Sequence, residues 1–230
     1  ASGLRGVWDD DARSAASRAF DSSGAPNASE TWQRVSKTLD GYAASWVASR
    51  TDACQATRIR GEQSDAMLTL RMQCLDRRRG ELGALATVFA HADRDVVEHA
   101  VEAASRLNPI AACDDTSALA TTTVALPESK ETRARVEKVR EALDRVRALE
   151  SAGKFATALP DARAAAASAE AIAFRPIEAE ALYVQGRLES DTGDGRAAVA
   201  TLNRAVDAAE AGRDDETAAE VWVTLLEVLG

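Results

Sequence analysis

A spacing of 40 residues constrains this chain more than any other feature of its sequence. Setting Gly153-Lys-Phe-Ala-Thr-Ala158-Leu159-Pro-Asp-Ala162-Arg-Ala-Ala165 over Gly193-Asp-Gly-Arg-Ala-Ala198-Val199-Ala-Thr-Leu202-Asn-Arg-Ala205 pairs glycine with glycine, Ala158 with Ala198, Leu159 with Val199, Ala162 with Leu202 and Ala165 with Ala205. The same offset carries Ala179-Glu180 onto Ala219-Glu220, and Val146 onto Gly186 and then Leu226. A fixed period of about 20–50 residues with helical patterning is the signature of a helical-repeat array, whose units bury their apolar faces only against their neighbours. Such arrays bind far more often than they catalyse.

Helix is expected throughout. The chain is rich in alanine and leucine, holds five prolines in 230 residues and has few aromatics, a composition that favours helix. Thr121-Thr-Thr-Val124 is the one β-flavoured patch, and it is short. The fold class is therefore all-α. A net charge of −9 argues against general nucleic-acid binding, which needs a cationic surface to displace counterions. Arg77-Arg78-Arg79 is the one basic cluster and reads as a solvated helix face. No apolar run has the length of a membrane span. Lacking an initiating Met and a leader pattern, the stretch reads as a piece of a longer protein.

The first half divides by its breakers and caps. A helix over 7–22 carries Asp9-Asp10-Asp11 in its first turn, where carboxylates face the positive end of the helix dipole. After Ser23-Gly-Ala-Pro-Asn27, Ser29 is the expected cap of a helix reaching to about Arg60. Its stripe Trp32, Val35, Leu39, Tyr42 and Trp46 steps by 3, 4, 3 and 4, which reads as core rather than as an aromatic ligand platform. Helices over 62–90 and 93–107 follow, the second ended by Asn108-Pro109, and Asp114-Asp115 can cap a further turn. A linker over Thr121–Lys130 places a boundary near Pro127, giving an N-terminal helical unit at 1–126 and repeats at 127–230. The repeats read as helices at 130–152, 154–173, 177–192, 195–211 and 214–229, the last being half of a repeat whose partner helix would lie beyond Gly230.

Side-chain chemistry is sparse. Cys54, Cys74 and Cys113 are an odd set without zinc-ligand spacing. If helices 62–90 and 93–107 form a hairpin hinged near Ala92, Cys74 lies 18 residues before the hinge and Cys113 21 after it, so they come nearly level if the second limb stays helical. A Cys74–Cys113 disulfide and three reduced, buried cysteines are both open on this spacing. His91 and His99 are eight apart, not the i, i+4 of a helical metal pair. No phosphate-cradling glycine loop occurs, since Gly80-Glu-Leu-Gly83 lacks the Lys-Ser/Thr ending. No acidic pair sits in an apolar setting that would raise its pKa. The sequence supports neither an enzyme nor a bound cofactor or metal.

The second half resembles tetratricopeptide repeats: Gly186, Gly193, Ala198, Leu202 and Ala205 fall where that family places its turn and packing residues. The period of 40 exceeds the family's 34, which implies longer helices. The first half supplies the more specific likeness. Val7-Trp8-Asp9, Trp32-Gln-Arg-Val35, Leu39-Asp-Gly-Tyr42, Ala53-Cys54-Gln-Ala-Thr57, Gly61-Glu62-Gln63-Ser64 and Leu70-Arg71-Met72-Gln-Cys74-Leu75 resemble the region after the membrane span in bacterial, myxobacterial-type serine/threonine protein kinases with C-terminal tetratricopeptide repeats. Arg213-Asp214-Asp215 and Trp222 fit the same pattern.

This resemblance implies a cytoplasmic kinase domain and one membrane span elsewhere in the protein, with the present residues outside the cytoplasm. It also implies an upstream cysteine partner for Cys54, and the location favours the Cys74–Cys113 disulfide. None of the kinase motifs occurs here. The expected role is a non-catalytic interaction or sensing module whose partner is a protein or peptide. The alternative is a cytoplasmic scaffold or the arm of a transcription regulator. By the repeat alignment, the first helix of each pair lines a concave groove in a right-handed array. Arg140, Leu143, Arg147 and Glu150 would line one repeat, and Glu180, Tyr183, Arg187 and Ser190 the next. The recurrence of arginine at 147 and 187 suggests an acidic or C-terminal carboxylate ligand, unless both arginines pair with neighbouring glutamates.

Overall fold

Several helices start on a short oxygen-bearing side chain in the computed structural model, which describes residues 2–122, 124 and 126–230. Asp9, Ser64, Asp93, Asp194 and Asp214 each accept a hydrogen bond from a backbone N–H three residues on, at 3.0–3.2 Å. Each thereby satisfies a donor that the first helical turn leaves free. Among the described residues there are ten α-helices and no strand. They are α1 (Asp10–Ser22), α2 (Ala28–Arg58), α3 (Asp65–Phe89), α4 (Arg94–Ser105), α5 (Thr116–Thr122), α6 (Lys130–Ser151), α7 (Phe155–Glu170), α8 (Arg175–Asp191), α9 (Gly195–Gly212) and α10 (Asp215–Leu229). Two 3-10 helices, Ser2–Leu4 and Ile110–Asp114, complete the list of elements.

Two expectations need correcting. Ser29 does not cap α2: the helix starts at Ala28 after Asn27, which is left-handed (φ 58°) and makes no side-chain cap bond. Thr121 and Thr122, the first two residues of the threonine patch, are helical at the end of α5; two residues of the expected linker, Thr123 and Ala125, lie outside the described residues. The chain forms two units, one of Ala1–Thr123 with Ser151–Gly153, the other of Val124–Glu150 with Lys154–Gly230.

In the first unit the aromatic stripe of α2 is core. Val35, Leu39 and Trp46 are buried, and Trp46 Nε1 donates to the Leu75 carbonyl at 2.6 Å. Half-buried Trp32 packs against Trp8 and Phe20, with ring centroids 6.3 and 5.2 Å apart, and Phe20 meets Phe89 edge-on. Trp8 Nε1 donates to Asp40 at 2.8 Å, so the ring is buried with its one donor satisfied. The arginine cluster on α3 is less solvated than its sequence suggests. Arg78 pairs with Glu81 at 2.6 Å and Arg79 donates to the Gly3 carbonyl at 2.8 Å.

The second unit repeats in backbone as well as in sequence. Helices α7 and α9 start 40 residues apart, as do α8 and α10, and α6 and α8 end 40 apart. The turns match too. Gly153 and Gly193 have φ of 75° and 87°, and each precedes the same bond, Lys154 N–H to Leu149 O and Asp194 N–H to Glu189 O. Ala173 and Arg213 are left-handed at φ 57° and 53°. The core is alanine- and leucine-lined, with Val136, Leu143, Ala162, Ala165, Leu182, Leu202 and Ala205 buried. Close approach of α8 to α9 depends on Gly186. A Cβ there would lie 2.7 Å from Leu202 Cγ, far inside contact distance.

Candidate functional site

Helices α6 and α8 present a charge ladder made from the residues that the repeat alignment singles out. Arg147 on α6 donates to Glu180 on α8 at 2.8 Å. Arg187 on α8 forms a short hydrogen bond and ion pair with Glu150 on α6. The two pairs run in opposite senses between the same helices. Arg187 also lies over the Tyr183 ring, 5.6 Å from its centroid. Thr224 of α10 donates to the Tyr183 hydroxyl at 3.4 Å, tying the third helix to this face.

The reading in which both arginines pair with neighbouring glutamates therefore describes the molecule. Their charges are met internally, so an acidic ligand would have to displace Glu180 or Glu150. The other expected groove residues divide. Leu143 is fully buried and belongs to the core. Glu150 is 4% exposed and serves as the counter-ion of Arg187. Arg140 bonds to Glu137 of its own helix at 2.8 Å, with its Nε buried and without a partner; it lies two turns from Arg147, about 10 Å along the axis. Half-buried Ser190 accepts the Gly193 N–H through its carbonyl at 2.9 Å and contributes to the turn.

Burial dominates the titration of this face. Loss of solvent pushes the Glu150 carboxyl above its ordinary range, reinforced by Asp191 and opposed by Arg187 and Arg147. Glu220 on α10 is raised for the same first reason, with Glu216 adding to it and the two arginines opposing. For Arg187, burial favours losing the proton, but Glu150 and Tyr183 overcome it and hold the guanidinium charged.

Cys74 and Cys113 are joined in a disulfide, with Cα atoms 5.5 Å apart and 39 residues between them. The second limb does not stay helical as the spacing supposed: α4 ends at Ser105, and Cys113 arrives on the 3-10 helix Ile110–Asp114. Arg71, unmarked as a site in the sequence, fixes that helix. Its side chain is 4% exposed; it donates to the Cys113 carbonyl and to both Asp52 and Asp114. Asp114 in turn accepts from Ser49 Oγ at 2.6 Å. Arg71 stands three residues from Cys74, the only hint of this role that the sequence holds. Cys54 is a free, exposed thiol. The disulfide removes Cys113 from any metal set; His91, in the turn after α3, bonds the Thr87 carbonyl, and His99 bonds the Asp95 carbonyl of its own helix. Among the described residues no cluster of three or more His, Cys, Asp or Glu side chains could hold a metal ion. No helix among them is long and apolar enough to cross a membrane.

No family model, curated protein or solved structure matches this chain.

Proposed function

We propose that the second unit is a tetratricopeptide-like, right-handed array that binds a protein or peptide segment along the face shared by α6, α8 and α10. The whole chain would then act as a non-catalytic interaction or sensing module of a membrane-anchored serine/threonine kinase, placed outside the cytoplasm. The ladder of Arg147–Glu180 and Arg187–Glu150 beside Tyr183 carries the reading. It sets polar groups of both signs and an aromatic ring on one face, which suits a peptide backbone with mixed charges better than the uniformly acidic ligand expected from the arginines alone. The Cys74–Cys113 disulfide supports an oxidising compartment. The resemblance to kinase-linked repeats, described above, supplies the kinase context.

The test is a peptide-library screen against the wild-type chain, Arg147→Ala and Tyr183→Ala, with thermal melts to establish that both variants fold. Weakened binding of the hits by both variants is the expected result. Unchanged affinity for every hit would remove the ligand from this face.

A further inference from the structure

The second unit ends in an apolar strip. On α10, Trp222, Val223, Leu226 and Leu229 are 50%, 57%, 72% and 68% exposed, while Val221 and Leu225 on another side of the helix are buried. The 40-residue period says what this strip is equivalent to. Ala219, Trp222, Leu226 and Leu229 stand where α8 has Ala179, Leu182, Gly186 and Glu189, all of them buried. Helix α9 covers that side of α8: the Gly186 backbone packs under Leu202, and Glu189 accepts from Thr201 Oγ1 at 2.7 Å. The α10 strip thus continues an interface already built once, between α8 and the helix that folds back on it.

Two details define an occupant. Leu226 takes the place of Gly186, so the close approach made by Leu202 is not available there, and a covering helix needs a small residue at that point. At the equivalent places the first repeat has the sizes reversed, buried Val146 and Ala162 standing where the second has Gly186 and Leu202. Charge gives the second detail. From Asp214 to Gly230 the chain carries five carboxylates and no cation. At about 100° per residue, Glu216, Glu220 and Glu227 border the strip on the Val223 side. Glu220 faces Arg147 and Arg187 of its own unit, whereas Asp215, Glu216 and Glu227 have no ion pair among the described residues. A second copy of α10 would bring the same acidic border and add no positive charge.

We infer that the Trp222–Leu226–Leu229 strip docks a basic amphipathic α-helix, antiparallel to α10, with alanine or glycine against Leu226 and lysine or arginine beside Glu216 and Glu227. The strip lies beside the α6–α8–α10 face: on the 40-residue period its bordering residues Glu220, Val223 and Glu227 are the equivalents of Glu180, Tyr183 and Arg187, whereas Trp222, Leu226 and Leu229 are not ladder positions.

The probe is a synthetic peptide with the sequence of α9, Gly195–Gly212, carrying Leu202→Ala and lysine in place of Asp207 and Glu210. It is titrated by fluorescence anisotropy against the full 230-residue chain. Saturable binding is expected, weakened about tenfold or more by Leu226→Asp, an exposed position whose change leaves the fold intact by circular dichroism. Binding should weaken at high salt and in the peptide that keeps Leu202, and persist in Arg147→Ala, whose native side chain bonds Glu180 on α8. Four results would overturn the inference: no saturation at about 1 mM peptide, equal binding of a peptide with its basic residues replaced by Glu, indifference to Leu226→Asp, or loss on Arg147→Ala. Self-association of the chain that disappears in Leu226→Asp, seen by sedimentation, would assign the strip to a second copy and overturn it as well.

Discussion

Reducing the Cys74–Cys113 disulfide opens a loop of 39 residues and frees the unfolded chain far more than the folded one. The chain-entropy relation gives about 13 cal/mol/K for a loop of this length, or about 4 kcal/mol at 25 °C. Little of this should appear as damage to the native state, because Arg71 still holds the Cys113 carbonyl and Asp114 in place. The assay is urea unfolding in a Cys54→Ser background, which removes the exposed thiol that would otherwise exchange with the bridge. Trp8, Trp32 and Trp46 all lie in the first unit, and a Trp222→Phe change silences the fourth tryptophan. With a slope of about 2 kcal/mol/M, reduction should lower the fluorescence midpoint by about 2 M while leaving the native spectrum in place. A midpoint that moves by less than about 0.3 M, with two new thiols titrated, would refute the loop-entropy reasoning. Collapse of the native spectrum on reduction would refute the role given to Arg71.

Further outcomes follow from the second unit. Gly186→Ala should destabilise it by about 1–3 kcal/mol through overpacking against Leu202, and Leu202→Ala in the same chain should recover part of the loss, as thermal melts can show. Arg187→Ala strands Glu150 without its cation. It should cost about 2 kcal/mol, the partly solvated guanidinium keeping the figure low, and more than the double change to Arg187→Leu and Glu150→Leu. The pH response of the two units should be opposite in sign. Glu150 and Glu220, raised above 4.5 first by burial, make the folded second unit hold extra protons, so its stability falls as pH rises from about 4.5 through the raised values. Asp9, held below 3.8 by the Gly6 and Ala12 amides, and Asp52, held down by Arg60 and Arg71, stabilise the first unit above that range. That contribution is lost as pH falls through the lowered values; urea midpoints by tryptophan emission and by far-UV circular dichroism separate the two trends. Ala173→Gly should stabilise by up to about 1 kcal/mol, since the residue is left-handed at φ 57°.

Periodicity carried most of the fold. Apolar spacing placed the helices, and Asp93, at the start of the 93–107 helix, is a cap that its residue type announces; that Asp194 and Asp214 cap α9 and α10 is seen only in the structure. The misses share a cause: they depend on partners distant in sequence or on backbone states without a residue signature. Ala173 and Arg213 adopt a conformation that usually selects glycine, so nothing at those positions announced the turn. Arg71 reads as an ordinary helix arginine until residues 52 and 114, 19 and 43 positions away, close around it. Arg147 and Arg187 were visible as a recurrent pair, but their glutamates lie 33 and 37 residues off on the neighbouring helix. That both arginines pair with glutamates is one of the two readings open from the sequence; which glutamates they meet is set by the folded register.

The disulfide has a mechanical consequence. Pulled by its two ends, the first unit cannot pay out the segment between Cys74 and Cys113, because the covalent bridge carries the load across it. That withholds 39 residues, about 130 Å of contour length at full extension. In a reducing medium the same pull would release that length, so the bond sets how far a tethered chain of this kind can stretch before its next fold gives way.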